Sequence, residues 1–345
     1  MRALRLTAWQ SDPELQEVPV PEPGPGEVLI RIGGAGACHS DLHLLHEWTP
    51  EIMPPLASWE LPMTLGHENA GWIEGGDLDG YPYLEQGAPV VVSLTWNCGV
   101  CASCRVGATN YCEVTQEAGG LGFDGGMAEF MVAPIESLVP LKDLEPWKAA
   151  PLTDAALTPY HAVKRSIPRL TPDATVVVIG VGGLGHMAVQ LLREMCASRI
   201  IALDIDEDAL ALASEVGADI CLPSDEAAAE EIRKATGGLG AMVVLDFVGI
   251  NPTLETARQA ARQRGEIVIV GIGGGALPVQ FGALPYACSV VTTYGGSTGE
   301  LAEVVAMAEA GRISPHIETF SLEEAADVYG RLHRNEITGR AVIRP

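Results

Sequence analysis

The sequence predicts a two-domain α/β chain: a mostly-β first half, then a doubly wound parallel sheet with helices on both faces. Three observations carry this reading. The chain has 345 residues, enough to bury two cores. Residues 1 to about 150 alternate short β-branched runs with glycine and proline punctuation. After about residue 155, strand and helix signals alternate, and the strand runs are apolar at every position.

In chain order, "EVLIRIGGAG" reads as a strand entering a glycine-rich turn. "GACHSDLH", residues 36 to 43, then packs a cysteine, two histidines, a serine and an aspartate into eight positions. Residues 44 to 63 are proline-rich and read as a long loop whose Trp48, Met53 and Trp59 need a surface to cover. "PVVVSL" and "MAEFMVAP" are further strands. "ATVVVIG" is a buried strand, and "GLGHMAVQLLREMCA" sets Leu184, Met187, Ala188, Leu191, Leu192 and Met195 on one helical face. The alternation continues through "RIIALD", "EDALALASEVGA", "ADICL", "AMVVLDFVG", "NPTLETARQAAR" and "GEIVIVG". Beyond "SVVTTYGG" come helices around "ELAEVVAMAEAG" and "SLEEAADVYGRLHR", and a last strand, "RAVIRP".

Charge narrows the partners. With 45 acidic and 21 basic residues the net charge is −24, a field that repels phosphate backbones and anionic lipid. No nucleic-acid or membrane role is expected. The first residues lack a secretory apolar core, and no run of 18 apolar residues occurs, so a cytoplasmic setting is expected. In a reducing compartment, grouped cysteines read as metal ligands rather than disulfides.

"VVVIGVGGLG" holds Gly180, Gly182 and Gly185 between a strand and a helix, with Gly183 and Leu184 inside the same turn. The first glycine suits the tight turn, the second a close approach to a pyrophosphate, the third helix–strand packing. Asp204 ends the next strand, at the place of a ribose-binding carboxylate. Ile205, Asp206, Glu207 and Asp208 follow with no basic residue to meet a 2′-phosphate, which favours NAD over NADP. This is the Rossmann pattern. "CGVCASCRVGATNYC" sets Cys98, Cys101, Cys104 and Cys112 on one short stretch. Four thiolates suit a closed structural zinc site, an iron–sulfur cluster being the rival.

In this order, "GACHSDLH", "LPMTLGHENAG", the four-cysteine stretch, "PLTDAALTPYHAV" and "VVVIGVGGLGHMAVQLL" resemble the zinc-dependent medium-chain alcohol dehydrogenases over the whole chain. The nearest subgroup is that of bacterial NAD-dependent secondary-alcohol dehydrogenases and aryl-ketone or phenylacetaldehyde reductases. The resemblance implies a GroES-like catalytic domain over 1–154 with a zinc lobe at about 96–113. A Rossmann domain would span 155–294, and 295–345 would return to the catalytic domain. It implies NAD and two zinc ions per subunit, one structural on the four cysteines and one catalytic on Cys38, His67 and Asp154. Asp154 alternatively caps the helix that follows it. Glu68 would stand behind the metal, Asp41 would orient His67, and Ser40 and His43 would form a proton relay. His39, Thr158, Val248, Val270, Ile272 and Arg340 would meet the cofactor, Arg340 at its pyrophosphate. Trp96, Tyr294 and the 44–63 loop are expected pocket walls, and Gly295 with Gly296 leaves room in that pocket. His161 and His186 are expected to be packing or solvent-facing residues, and Cys196, Cys221 and Cys288 ordinary buried thiols. The implied reaction is reversible hydride transfer between NAD and a small-molecule substrate, a secondary (aryl or bulky included) or primary alcohol whose ketone or aldehyde is reduced in reverse, in a homodimer or homotetramer. Polyol or formaldehyde oxidation, and a non-enzymatic NAD sensor, are the alternatives.

Overall fold

An apolar residue at every strand position needs cover on both faces, and the second half of the chain supplies it. The computed structural model describes residues 1–49 and 59–345. The described residues form two units, Met1–Leu157 with Gly295–Pro345, and Thr158–Tyr294.

In the Thr158–Tyr294 unit six strands make one parallel sheet. Its order is Ile220–Pro223, Arg199–Asp204, Thr175–Ile179, Ala241–Asp246, Ala261–Ile269, Ser289–Thr292. By sequence rank that is 3-2-1-4-5-6, the doubly wound order whose ligand crevice lies beyond the carboxyl ends of the central strands. Val176 and Val178 enter one apolar cluster, Val177 and Ile179 the other. This explains the unbroken apolar run in "TVVVI". On the helix Gly185–Met195 the predicted face holds: Met187, Ala188, Leu191 and Leu192 are buried, while Leu184 and Met195 sit at its margin. Two elements depart from the expected pattern. A helix at Ala228–Ala235 was not anticipated, because its polar composition obscures the buried Ala228, Ala229 and Ile232. The strand expected at "GEIVIVG" begins earlier, at Ala261, with a register shift opposite Ala241 and Val243.

The other unit is built on a seven-stranded sheet ordered Leu138–Pro140, Pro89–Val92, Glu68–Gly76, Glu27–Ala37, Arg340–Arg344, Ile317–Ser321, with Phe130–Pro134 also on Glu27–Ala37. The strand Glu27–Ala37 is central, and its end matters most. Gly36 pairs with Glu68 on one side, and Ala37 pairs with Ala341 on the other. Antiparallel register thereby delivers Cys38, Glu68 and Arg340 to one point. Within the expected 44–63 loop, Leu44–His46 instead complete the helix His39–His46, and Met63 opens a short strand. Met53 lies outside the described residues.

Candidate active site

Three side chains converge at the end of the Glu27–Ala37 strand. Cys38 ends the strand, His67 precedes Glu68–Gly76, and Asp154 closes the 3-10 turn Ala150–Thr153. All three are buried, and one ligand atom from each lies within 4.8 Å of the others. Asp154 Oδ2 is 3.5 Å from Cys38 Sγ and 3.5 Å from His67 Nε2. Metal bonds of about 2.0–2.3 Å at tetrahedral angles give ligand separations of about 3.3–3.8 Å. A thiol, an imidazole nitrogen and a carboxylate this close, away from water, fit a shared zinc ion with one position left open. Thiolate and carboxylate together match its charge.

The support around the triad is equally specific. Asp41, fully buried, sits in the first turn of His39–His46. Its Oδ2 accepts the Cys38 N–H at 3.0 Å, and its Oδ1 accepts from His67 Nδ1 at 2.9 Å. A carboxylate only accepts, so the ring proton belongs on Nδ1 and Nε2 keeps its lone pair for a metal. Burial works against a charged His67, but the negative charge of Asp41 and hydrogen bonds with Asp154, Asp41 and Cys38 outweigh it and hold the imidazole pKa well above its usual range.

Glu68 and Arg340 form the rear wall. Arg340 Nε and an Nη fork the Glu68 carboxylate at 2.8 and 2.6 Å, and Ala155 N–H donates to its Oε1 at 2.9 Å. Burial raises the Glu68 pKa, against the pull of the Arg340 charge. Gly36 makes the arrangement possible: a Cβ there would collide with the Glu68 carboxylate. The Arg340 guanidinium is buried and engaged with Glu68, and it also lies 3.4 Å from Asp154.

Ser40 Oγ lies 3.5 Å from Cys38 Sγ. His43 Nδ1 meets Glu47 Oε2 at 2.7 Å, and the ring stacks on Trp48 with centroids 5.6 Å apart. Trp48 contacts Trp59, which in turn contacts Trp9. Glu47 escaped the sequence reading, although its i+4 spacing from His43 on a helix is a usable signal. Trp96 packs on Phe123. His39, at the exposed start of the helix, has its pKa lowered, first by the protein packed against it and then by the Arg340 charge.

The cysteine lobe is a second metal-ready cluster. Its four Sγ atoms lie within 4.8 Å of one another. Main-chain N–H groups of Cys101 and Cys104 point at the Cys98 and Cys101 sulfurs, at 3.3 and 3.5 Å. Burial pushes Cys104 up to about 12. At Cys112 burial is outweighed by N–H groups of Cys98, Thr115 and Val114, which bring the thiol down to about 6. Four sulfurs on one short stretch, some already favouring thiolate, fit a closed tetrahedral site.

In the Thr158–Tyr294 unit the glycine turn is as the spacing predicts. Gly180 has φ +81, and a Cβ on Gly185 would strike the Gly180 carbonyl. A Cβ on Gly182 would meet nothing within 4 Å, so that backbone faces open space where a phosphate fits. Asp204 has a local duty the sequence did not reveal. Its Oδ2 accepts the Val181 N–H at 2.7 Å, and its Oδ1 accepts those of Ile205 and Asp206 at 2.8 and 3.0 Å. Val248, Val270 and Ile272 follow the ends of neighbouring strands, Ile272 exposed. The turn carrying Val248 is fixed by Asp246, which accepts from Val248 N–H, Gly249 N–H and the Thr253 hydroxyl. An acid ending an apolar strand, as at Asp204, was the signal for it. Thr158 is buried, and Tyr294 is partly exposed. His186 is buried and bonded to the Gly182 carbonyl at 2.9 Å, a packing role. Cys196, Cys221 and Cys288 are half-exposed rather than fully buried, since they sit at the margins of the two clusters.

Comparison with known proteins agrees with this geometry. Residues 24–143 match the alcohol dehydrogenase GroES-like domain, and residues 183–310 match the zinc-binding dehydrogenase domain. The chain is 34% identical to an NAD-dependent alcohol dehydrogenase of Sulfurisphaera tokodaii, with 100% of both chains covered. It is 33% identical to a D-arabinose 1-dehydrogenase (NADP(+)) of Saccharolobus solfataricus, covering 100% of this chain and 97% of that one. The crystal structure of the alcohol dehydrogenase from Aeropyrum pernix superposes with a TM-score of 0.93 at 37% identity, with both chains fully covered. With a doubly wound sheet, two metal-ready clusters and full-length likeness of this degree, the chain belongs to the zinc-dependent medium-chain alcohol dehydrogenase family.

Proposed function

We propose that the chain oxidises a secondary or primary alcohol with NAD as hydride acceptor, and reduces the matching ketone or aldehyde in reverse. That it is an NAD-linked alcohol dehydrogenase of the zinc type follows from its family. The observation that carries the site assignment is the buried convergence of Cys38, His67 and Asp154. When bound there, zinc supplies Lewis acidity toward the substrate oxygen. A second zinc on Cys98, Cys101, Cys104 and Cys112 ties the lobe together.

The remaining chemistry belongs to the side chains. Ser40, beside Cys38, takes the alcohol proton through a hydroxyl that both accepts and donates. His43 passes it on to solvent, with Glu47 accepting from its Nδ1 so that Nε2 keeps a lone pair to take a proton. Glu68 and Arg340 keep Asp154 in place and the rear of the site dry. Gly180, Gly182, Gly183, Leu184 and Gly185 cradle the pyrophosphate, Asp204 takes the ribose hydroxyls with its remaining lone pairs, and Val248, Val270 and Ile272 pack against the cofactor. His39, Thr158 and Arg340 complete that contact set. We assign the catalytic role to residues 1–154 with 295–345 and cofactor binding to 155–294, in a cytoplasmic homodimer or homotetramer.

A sugar hydroxyl with NADP is the second reading, raised by the D-arabinose 1-dehydrogenase relative. The acidic run Asp206, Glu207, Asp208 and the aromatic rings about His43 favour the first. The deciding assay follows NADH formation with a simple secondary alcohol, an aryl alcohol and a pentose, each with NAD and with NADP. Turnover of the pentose with NADP alone overturns the proposal.

A further inference from the structure

Tyr329 lies on the helix Ala325–His333, 288 residues beyond Asp41 in sequence, yet its hydroxyl donates to Asp41 Oδ2 at 3.0 Å. Both residues are buried, Tyr329 at 2% exposure and Asp41 at 0%. The same Asp41 carboxylate accepts from Cys38 N–H and His67 Nδ1. Two of the three residues that hold the catalytic metal are thus held by one carboxylate, and that carboxylate is held by one phenol. Among the described residues the hydroxyl's one other partner is Met127 Sδ, at 3.0 Å, a weak acceptor. Burial, and then the Asp41 charge, keep the phenol pKa well above its usual range, so the hydroxyl remains a donor.

We propose that Tyr329 is a positioning residue of the metal centre: its hydroxyl fixes the Asp41 carboxylate, which fixes the tautomer and ring plane of His67. The physical reason is the count of donors. With three donors, the carboxylate is pinned at both oxygens. Without the phenol each oxygen keeps a single donor, the Cys38 N–H on Oδ2 and His67 Nδ1 on Oδ1, and the carboxylate turns more easily against the His67 ring. Phenylalanine fills nearly the same volume, so packing alone gives no reason for a hydroxyl at this depth. The inference rests on the assignment of Cys38, His67 and Asp154 as metal ligands, and it ties the C-terminal segment to that site.

The test is metal release from the full-length protein loaded with cobalt, followed by absorbance as a chelator is added. The cysteine lobe of the same chain serves as internal reference. Groups that hold a metal ligand from behind typically contribute about 10–100-fold in metal affinity. Tyr329→Phe should release the Cys38–His67–Asp154 metal about 10-fold faster, with a shifted cobalt spectrum and unchanged release from the lobe. Val328→Ala, a packing change on the same helix, should lower the thermal midpoint and leave the ratio of the two release rates alone. Asp41→Asn approaches the contact from its other end. If Tyr329 acts through Asp41, adding Tyr329→Phe to Asp41→Asn should cost less than the product of the two single effects. Native release rate and spectrum in Tyr329→Phe, or multiplying effects in the double variant, overturn the proposal. A native chain that takes up cobalt only in the lobe overturns the ligand assignment itself, a distinct result.

Discussion

The two metal-ready clusters are made in opposite ways. The lobe draws Cys98, Cys101, Cys104 and Cys112 from one short stretch, with Cys98 and Cys101 half-exposed. Its sulfurs meet because local turns bring them together, helped by main-chain N–H groups of the same turns. The Cys38–His67–Asp154 set is drawn from three distant points, all buried, and each member is held by something else again. A local chelate depends on its loop. A long-range one depends on strand register, on Gly36 making room for Glu68, and on helix Ala325–His333 reaching back to Asp41. Four ligands would close the lobe's site, whereas a three-ligand set would leave a position for substrate. The difference predicts that one cluster governs stability and the other turnover.

The sharpest way to break that division is to remove one ligand from each. His67→Ala should lower turnover about 10³-fold, as expected when several kcal/mol of charge stabilisation are lost. Metal analysis should find the lobe ion retained. Cys101→Ser should do the reverse: loss of the lobe metal, a fall in stability of a few kcal/mol (about 3) in denaturant titration, and most of the activity kept at low temperature. A Cys101→Ser protein as inactive as His67→Ala, though folded, would erase the distinction.

Chelation tests the same contrast without mutation. Dialysis of the native protein should remove one equivalent of metal first, together with all activity, and readdition should restore it. The second equivalent should leave more slowly and take the fold with it. Simultaneous loss of both ions would show that the four-thiolate site is no tighter than the open one.

Within the open site, Ser40→Ala should cost about 10²-fold in kcat, since it stands beside Cys38, and general acid–base groups contribute about 10²–10⁴-fold. His43→Ala should cost less, because water can replace the last member of a relay, and alkaline buffer should restore much of the rate. A kcat–pH profile of His43→Ala identical to native, at full zinc content, removes His43 from the relay. The smallest effect is expected away from both metals. Asp204→Ala should weaken NAD by about 10-fold and reduce discrimination against NADP, read as the ratio of kcat/KM values; bidentate carboxylate hydrogen bonds of this kind are worth about 1.5–3 kcal/mol. Because Asp204 also holds Val181 N–H, part of that loss should appear as a lower melting temperature.

The sequence alone determined whatever depends on short separations. The apolar run of "TVVVI" demanded two covered faces, because every side chain of a strand points to one face or the other. The glycine turn was legible because only residues without Cβ fit at Gly180 and Gly185, and the lobe because four thiols on one short stretch have few other uses. Cys38, His67 and Asp154 were named only by likeness to a family; nothing in their spacing pairs residues so far apart. Tertiary structure decided the rest. Antiparallel register set Glu68 and Arg340 beside Cys38, and so engaged the guanidinium with two buried carboxylates. The same folding brought Tyr329 to Asp41, a contact with no periodicity or motif to announce it. Local sequence encodes what a turn or a helix face requires. Which distant strands become neighbours depends on burying the whole chain at once, and there the hydrogen-bond partners of a buried charge are chosen.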